Sequence, residues 1–343
     1  MEAVARRSSA PLGFWGAMVR VLPASVVGVL LLSTLGWRVT APVDPELAVT
    51  LARSPSGVLS SWPTVLVLTM VVAGLGTALS GRRVPLAGLF AAGVGLAALA
   101  LRGGSMQHVL AYWGSNEASG RRALMLTMAW DCVLWGTILG ASWAVALTVR
   151  GWLWPGGSGP FAAGEASATT DSVPPPAVAA RQTGGSKRRA ADAGQQGSPV
   201  RRRAGWPALV ATSVLAAFFI WLTIARTPVA QIARGQVIAS VAGGLFLAAM
   251  ATRYFTGIDE AHWYALAPLA VALLGYALGY LSADMSWAQR SSEFKYYALL
   301  STTPPHDLVR PLPLEYLAVG VAGALSGFWT GERIEHSAQE GTT

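Results

Sequence analysis

Apolar residues fall in eight long runs separated by shorter polar stretches, with little period-two alternation inside the runs. A bilayer's hydrocarbon core is about 30 Å thick and takes about 20 helical residues, with a range near 17–25. The runs at 21–37, 63–80, 84–101, 123–149, 206–225, 235–252, 263–283 and 313–330 are long enough and rich in Leu, Val and Ala. Weak alternation favours helices over an outer-membrane barrel, the other structure that satisfies every backbone group in lipid. Pro23 and Pro268 lie inside runs and predict kinks. The first run starts late, opens on Arg20 and lacks a small-x-small cleavage site, so it reads as a retained helix. The expected fold is therefore all-α, a polytopic integral membrane protein of about eight transmembrane helices.

One stretch breaks the pattern. Residues 151–205 are rich in Gly, Pro, Ala and Ser and, after an initial Trp-Leu-Trp, nearly devoid of large apolar side chains. Such a segment buries too little surface to offset its chain entropy. It predicts a disordered linker between a first four-helix half (1–150) and a second (206–343). Arg181, Lys187, Arg188, Arg189, Arg201, Arg202 and Arg203 face only Glu165, Asp171 and Asp192 there, giving half of the chain's net charge of +8. Basic residues near helix ends fix orientation, so the linker is expected in the cytoplasm. Eight crossings then put both termini there as well. Arg6, Arg7 and Arg20, and Arg82 and Arg83 in the turn between the second and third runs, agree. A second reading makes Lys187, Arg188, Arg189, Arg201, Arg202 and Arg203 a patch for anionic lipid head groups. No aromatic interleaving accompanies the charges, so nucleic acid is not an expected partner.

Composition sharpens the class. Hydrophobic residues make up 53% of the 343 and charged residues 12%, against about 25% charged in soluble domains. That excludes a disordered chain and an ordinary cytosolic enzyme. The single cysteine, Cys132, excludes an internal disulfide framework and a Cys-rich metal site. With 23 Arg, 2 Lys and abundant Ala, Gly, Val and Pro, the chain fits a GC-rich bacterial genome and hence a bacterial cytoplasmic membrane. Trp15, Trp37, Trp62, Trp206, Trp263 and Trp329 sit near run ends, as interfacial anchors do.

The halves align with each other. At an offset of 170, Val67, Val71, Gly74, Leu75, Ala78 and Arg83 fall on Val237, Val241, Gly244, Leu245, Ala248 and Arg253. The third and seventh runs align at 180, the fourth and eighth at 184, where Asp131, Gly136 and Ser142 meet Glu315, Gly320 and Ser326. Four crossings per half predict two parallel repeats about an axis along the membrane normal. The competing reading is eight unrelated helices sharing a Leu/Ala/Gly bias.

Asp131 and Glu315 are the candidate substrate or ion site. An ionisable group within a span is costly and turns toward protein or water. Two carboxylates near one pseudo-twofold axis suit a cation, protons or a polar solute; alternatively they sit near the outer interface, paired with Arg121, Arg122 or Arg310. The outer loops at 102–122 and 284–312 are the second candidate, as a cap or docking surface. No His pair stands at helical spacing within a span and no Ser/His/Asp arrangement is apparent, so no catalytic residue, metal or cofactor is expected. Glycines four apart at 136/140, 275/279 and 323/327 predict close helix packing. Two functions follow. One is a small-solute or ion transporter with its site between the halves. The other is a non-catalytic subunit or scaffold that docks a membrane protein partner, or a second copy, through its outer loops and helix faces.

Overall fold

A computed structural model describes residues 14–44, 46–81, 84, 86–155, 205–224, 230–286 and 302–340. Among them every regular element is a helix. Helix α1 runs through Phe14–Leu31, a π-helical turn at Leu32–Gly36 and Trp37–Thr40. It is followed by α2 (Val58–Ser80), α3 (Ala87–Arg102), the short α4 (Met106–Trp113) and the long α5 (Ala118–Leu153). The second half holds α6 (Trp206–Thr223), α7 (Ala230–Thr256), α8 (Ala261–Leu281), a π-helical turn at Glu315–Val319, and α9 (Gly320–Glu340). Pro23 and Pro268 are accommodated inside α1 and α8.

Helix ends follow local chemistry. Gly57 and Gly81, both at positive φ, bracket α2. Pro207 stands in the first turn of α6, where its missing N–H costs nothing. Gly103 and Gly104 end α3, and Ser105 and His108 form a capping box that restarts the chain as α4.

Six helices are long and apolar enough to cross a membrane, or seven if α3 and α4, bent by 51° at their break, count as one span. These apolar helices mark the chain as a multi-pass membrane protein. Each of the eight expected runs is helical over most of its described residues, yet two fall outside the six. Helix α3 has only 16 residues. The run at 313–330 starts as a π turn, and α9 carries Glu332, Arg333 and Glu335 beyond it. Both are interior elements. Residues 87–93 of α3 and 315–321 around the second π turn are buried without interruption. The exposed apolar side chains instead lie on outer helices, for example Val67 and Val71 of α2, Leu126 of α5, and Val210, Val214 and Phe218 of α6. Lipid is the solvent that suits such a surface.

The bundle has a simple contact plan. In the first half α1, α2 and α3 pack on one another, and α5 covers α2 and α3; in the second, α6 packs on α7 and α8, and α9 covers α7 and α8. Between the halves α5 packs on α8, while α9 and its π turn pack on α3. Two ends result: a loop end, where α1 passes to α2 and α3 to α5, and a linker end, where α5 stops and α6 starts. Residues 156–204, with Lys187, Arg188, Arg189, Arg201, Arg202 and Arg203, lie outside the described residues, as do Arg6, Arg7, Arg82 and Arg83. At the linker end Arg253 of α7 is buried, pairs with Asp259 and reaches Glu335 of α9 at 2.8 Å.

Candidate functional site

Asp131 lies more than three turns into α5 and is fully buried. The loop between α1 and α2 folds inward to meet it, burying Leu47, Ala48, Val49 and Leu51. Oδ1 of Asp131 accepts the backbone N–H groups of Leu51 at 2.7 Å and Ala52 at 2.9 Å. Oδ2 accepts the indole N–H of Trp135, one turn further along α5, at 3.0 Å. A carboxylate supplied with three donors compensates much of its lost hydration. The same loop is held from the other side by Gly104, whose N–H reaches the Leu47 carbonyl at 2.8 Å. A Cβ at 104 would collide with the Glu46 carbonyl, so only glycine fits there.

Glu315 opens the second π turn and is 1% exposed. Its Oε2 accepts the Leu312 backbone N–H at 2.9 Å, and its Oε1 faces Nε of Arg234 at 3.6 Å. That separation is an ion pair but not a hydrogen bond. Arg234, at the start of α7, also donates from an Nη to the Ala100 carbonyl at the end of α3. Oε1 of Glu315 and Nε of Arg234 are buried without a hydrogen-bond partner. Glu315 and Arg234 are among the residues that line a cavity of about 30 Å³ at the loop end. Ser105, Met106 and Gln107 contribute to its wall from the first half; Arg234, Arg310 and Glu315 contribute from the second.

Two interrupted helices meet at this cavity, namely the α3–α4 break at Ser105 and the π turn at Glu315. Backbone irregularity within a span is tolerated where protein or a water-filled cavity satisfies it, and π turns recur at functional sites.

The expected arginine partners are otherwise engaged. Arg121 is buried and donates to the carbonyls of Ala283 (2.6 Å), Asn116 (2.8 Å), Ser115 (3.1 Å) and Asp284 (3.1 Å), tying α5 to the end of α8. Arg122 lies over the Tyr280 ring, and Arg310 pairs with Asp307 at 3.1 Å. Glu315's ionic partner is Arg234, which sequence reasoning passed over. Its signal was an arginine at the very start of an apolar run, where the side chain must find a counter-charge.

The loop before Glu315 is pinned by two buried tyrosines. Tyr276 donates to the Pro311 carbonyl and Tyr316 to that of Leu308, each at 2.7 Å. The Gly275/Gly279 pair makes room for this loop: added Cβ atoms would strike Leu308 and Val309. Gly323 and Gly327 instead seat α9 on the backbone of α7, as helix-packing glycines do. Gly136 and Gly140 help line an apolar crevice of about 70 Å³ between α5 and α8, with Trp143 and His262 stacked at 5.9 Å beside it. His108 and His306 serve as local caps. Among the described residues no three His, Cys, Asp or Glu side chains are grouped to hold a metal. No protein family, curated protein or solved structure matches this chain.

Proposed function

We propose that the chain is a carrier for a small solute, built from two parallel four-helix repeats, with its binding position in the cavity at Glu315. The reciprocal packing of α5 on α8 and of α9 on α3 supports the repeat, since helices three and four of each half exchange roles across the seam. The single observation that carries the carrier reading is the cavity itself. Residues of both halves line it, two interrupted helices end at it, and the buried carboxylate of Glu315, ion-paired with Arg234, belongs to its wall. Asp131, sealed by its three donors, is a structural post in this reading. The basic residues of the linker favour a cytoplasmic side for it, and in this reading the cavity opens toward the opposite face of a bacterial inner membrane. Protein reconstituted into phosphatidylethanolamine/phosphatidylglycerol vesicles, with entrapped pH- and sodium-sensitive dyes and with labelled glycine outside, tests it. Flux of any of the three that is lost in Glu315→Gln supports the carrier; no flux, or flux that the substitution leaves intact, rejects it. A stoichiometric membrane protein co-purifying in mild detergent would favour the second reading, a non-catalytic subunit, for which the occupied Asp131 and folded loop end also speak.

A further inference from the structure

We propose that a second cavity at the loop end, of about 70 Å³ and walled by the end of α1, the α1–α2 loop and the end of α4, binds a small carboxylate that carries a short alkyl group, with Arg53 as its charge partner and Thr50 as a second donor. The site is separate from the Glu315 cavity and does not rest on the carrier reading.

The loop is built to hold Arg53 in one place. Leu51 and Ala52 donate their N–H groups to the buried Asp131 at 2.7 and 2.9 Å, and the Ser54 N–H reaches the Leu51 carbonyl at 3.3 Å. Arg53 therefore stands on a turn whose neighbouring residues are tied down. From the other side Gly104 holds the loop through the Leu47 carbonyl. A backbone fixed before a ligand arrives loses less entropy when it binds.

Charge selects the class. Among the described residues that line the cavity, Arg53 is the one charged side chain. Its guanidinium lies over the Trp113 ring, 4.6 Å from the centroid, and makes no hydrogen bond or ion pair with any described residue. A ring face attracts a cation but offers no lone pair to its N–H groups. Asp44 and Glu46, on the same loop, lie outside the lining. A cation entering here meets like charge, whereas a carboxylate suits the fork of a guanidinium. Arg53 is exposed, at the mouth of the cavity. An ion pair alone is worth little there, so the space behind it decides the ligand.

Hydrogen bonding and shape narrow the choice. Two hydroxyl groups line the cavity. Thr40 spends its proton on the Gly36 carbonyl at 2.9 Å. Thr50 is 3% exposed, and its hydroxyl has no hydrogen-bond partner among the described residues. Such a buried donor is satisfied by an acceptor that enters. The rest of the wall is apolar, with Leu47 and Ala48 buried and Pro42 and Pro55 beside them. On the scale where one water needs roughly 10–15 Å³, the cavity's 70 Å³ admits a short alkyl chain along with the carboxylate. Inorganic phosphate leaves that wall unused.

The test is binding to the full-length protein in mild detergent, read by titration calorimetry at matched ionic strength. The probes are sodium butyrate, sodium acetate, butyramide and sodium phosphate. Butyrate is expected to bind, acetate more weakly, and butyramide and phosphate at least about tenfold more weakly. Arg53→Gln is expected to weaken butyrate at least about tenfold, and Thr50→Val about threefold. Arg38→Gln removes another exposed arginine, one outside the lining, and should leave binding unchanged. Should Arg53→Gln fail to fold, Arg53→Lys, which keeps the charge and loses the fork, and the four-probe comparison still decide. No butyrate binding, butyramide or phosphate binding as tightly as butyrate, or binding that Arg53→Gln leaves intact overturns the proposal. Flux that depends on Glu315 without butyrate binding removes this site and keeps the carrier; butyrate binding without flux does the reverse.

Discussion

Asp131 and Glu315 fall on each other when the two halves are aligned, and both are buried, yet their surroundings differ in kind. Around Asp131 three donors converge: two backbone N–H groups from an inward-folded loop and one indole N–H. Around Glu315 one oxygen is bound to the backbone of its own approach loop, and the other lies 3.6 Å from the Arg234 guanidinium, an ion pair longer than a hydrogen bond. Equal burial therefore gives unequal freedom. A carboxylate that accepts three hydrogen bonds, two of them from one loop, locks that loop in place. One with an oxygen that lacks a hydrogen bond is held less firmly.

That contrast is open to direct attack. The largest effect is expected from Asp131→Ala, which orphans three buried donors at about 1–3 kcal/mol each; the melting temperature in detergent, followed by tryptophan fluorescence, should fall steeply or the protein should fail to purify. Asp131→Asn keeps one carbonyl acceptor and should lose roughly 2 kcal/mol. Trp135→Phe removes one of the three donors and leaves one oxygen bare, a loss of about 1 kcal/mol by the same measurement. A smaller stability effect than that of Asp131→Ala is expected for Glu315→Gln, because the amide oxygen still accepts from Leu312 and Arg234, partly exposed, keeps its bond to the Ala100 carbonyl. Vesicle flux in this variant should nevertheless vanish. A stable Asp131→Ala or a collapsing Glu315→Gln would reverse the assignment of post and ligand.

Much of the architecture was legible because lipid imposes a simple rule. Runs of about 20 apolar residues must be helices, and the run at 63–80 lies within α2 while α8 covers the run at 263–283 but for its last two residues. Less legible was which runs face lipid. The runs that became α3 and α9 read as spans like the rest, because burial against other helices and burial in hydrocarbon select the same side chains. The break at Gly103–Gly104 was equally silent. Its reason is the approach of the Glu46–Leu47 backbone, a partner more than fifty residues away. At the site, the value of a carboxylate in a span could be read from its cost. Which of the two stays open depended on a loop that folds back on one of them, and no local pattern announces that.

The glycines of α9 carry one more consequence. Gly323, Gly327 and Gly331 stand one helical turn apart, each against a carbonyl of α7 at Ala242, Phe246 and Met250, likewise one turn apart. Such a toothed rail has no intermediate settings, because sliding by less than the four-residue spacing of about 6 Å drives Cα atoms into carbonyl oxygens. Arg253 and Glu335 bolt its far end. The α7–α9 pair is thus keyed to act as one rigid beam, and in the proposed carrier a rearrangement would shift the two helices together rather than one past the other.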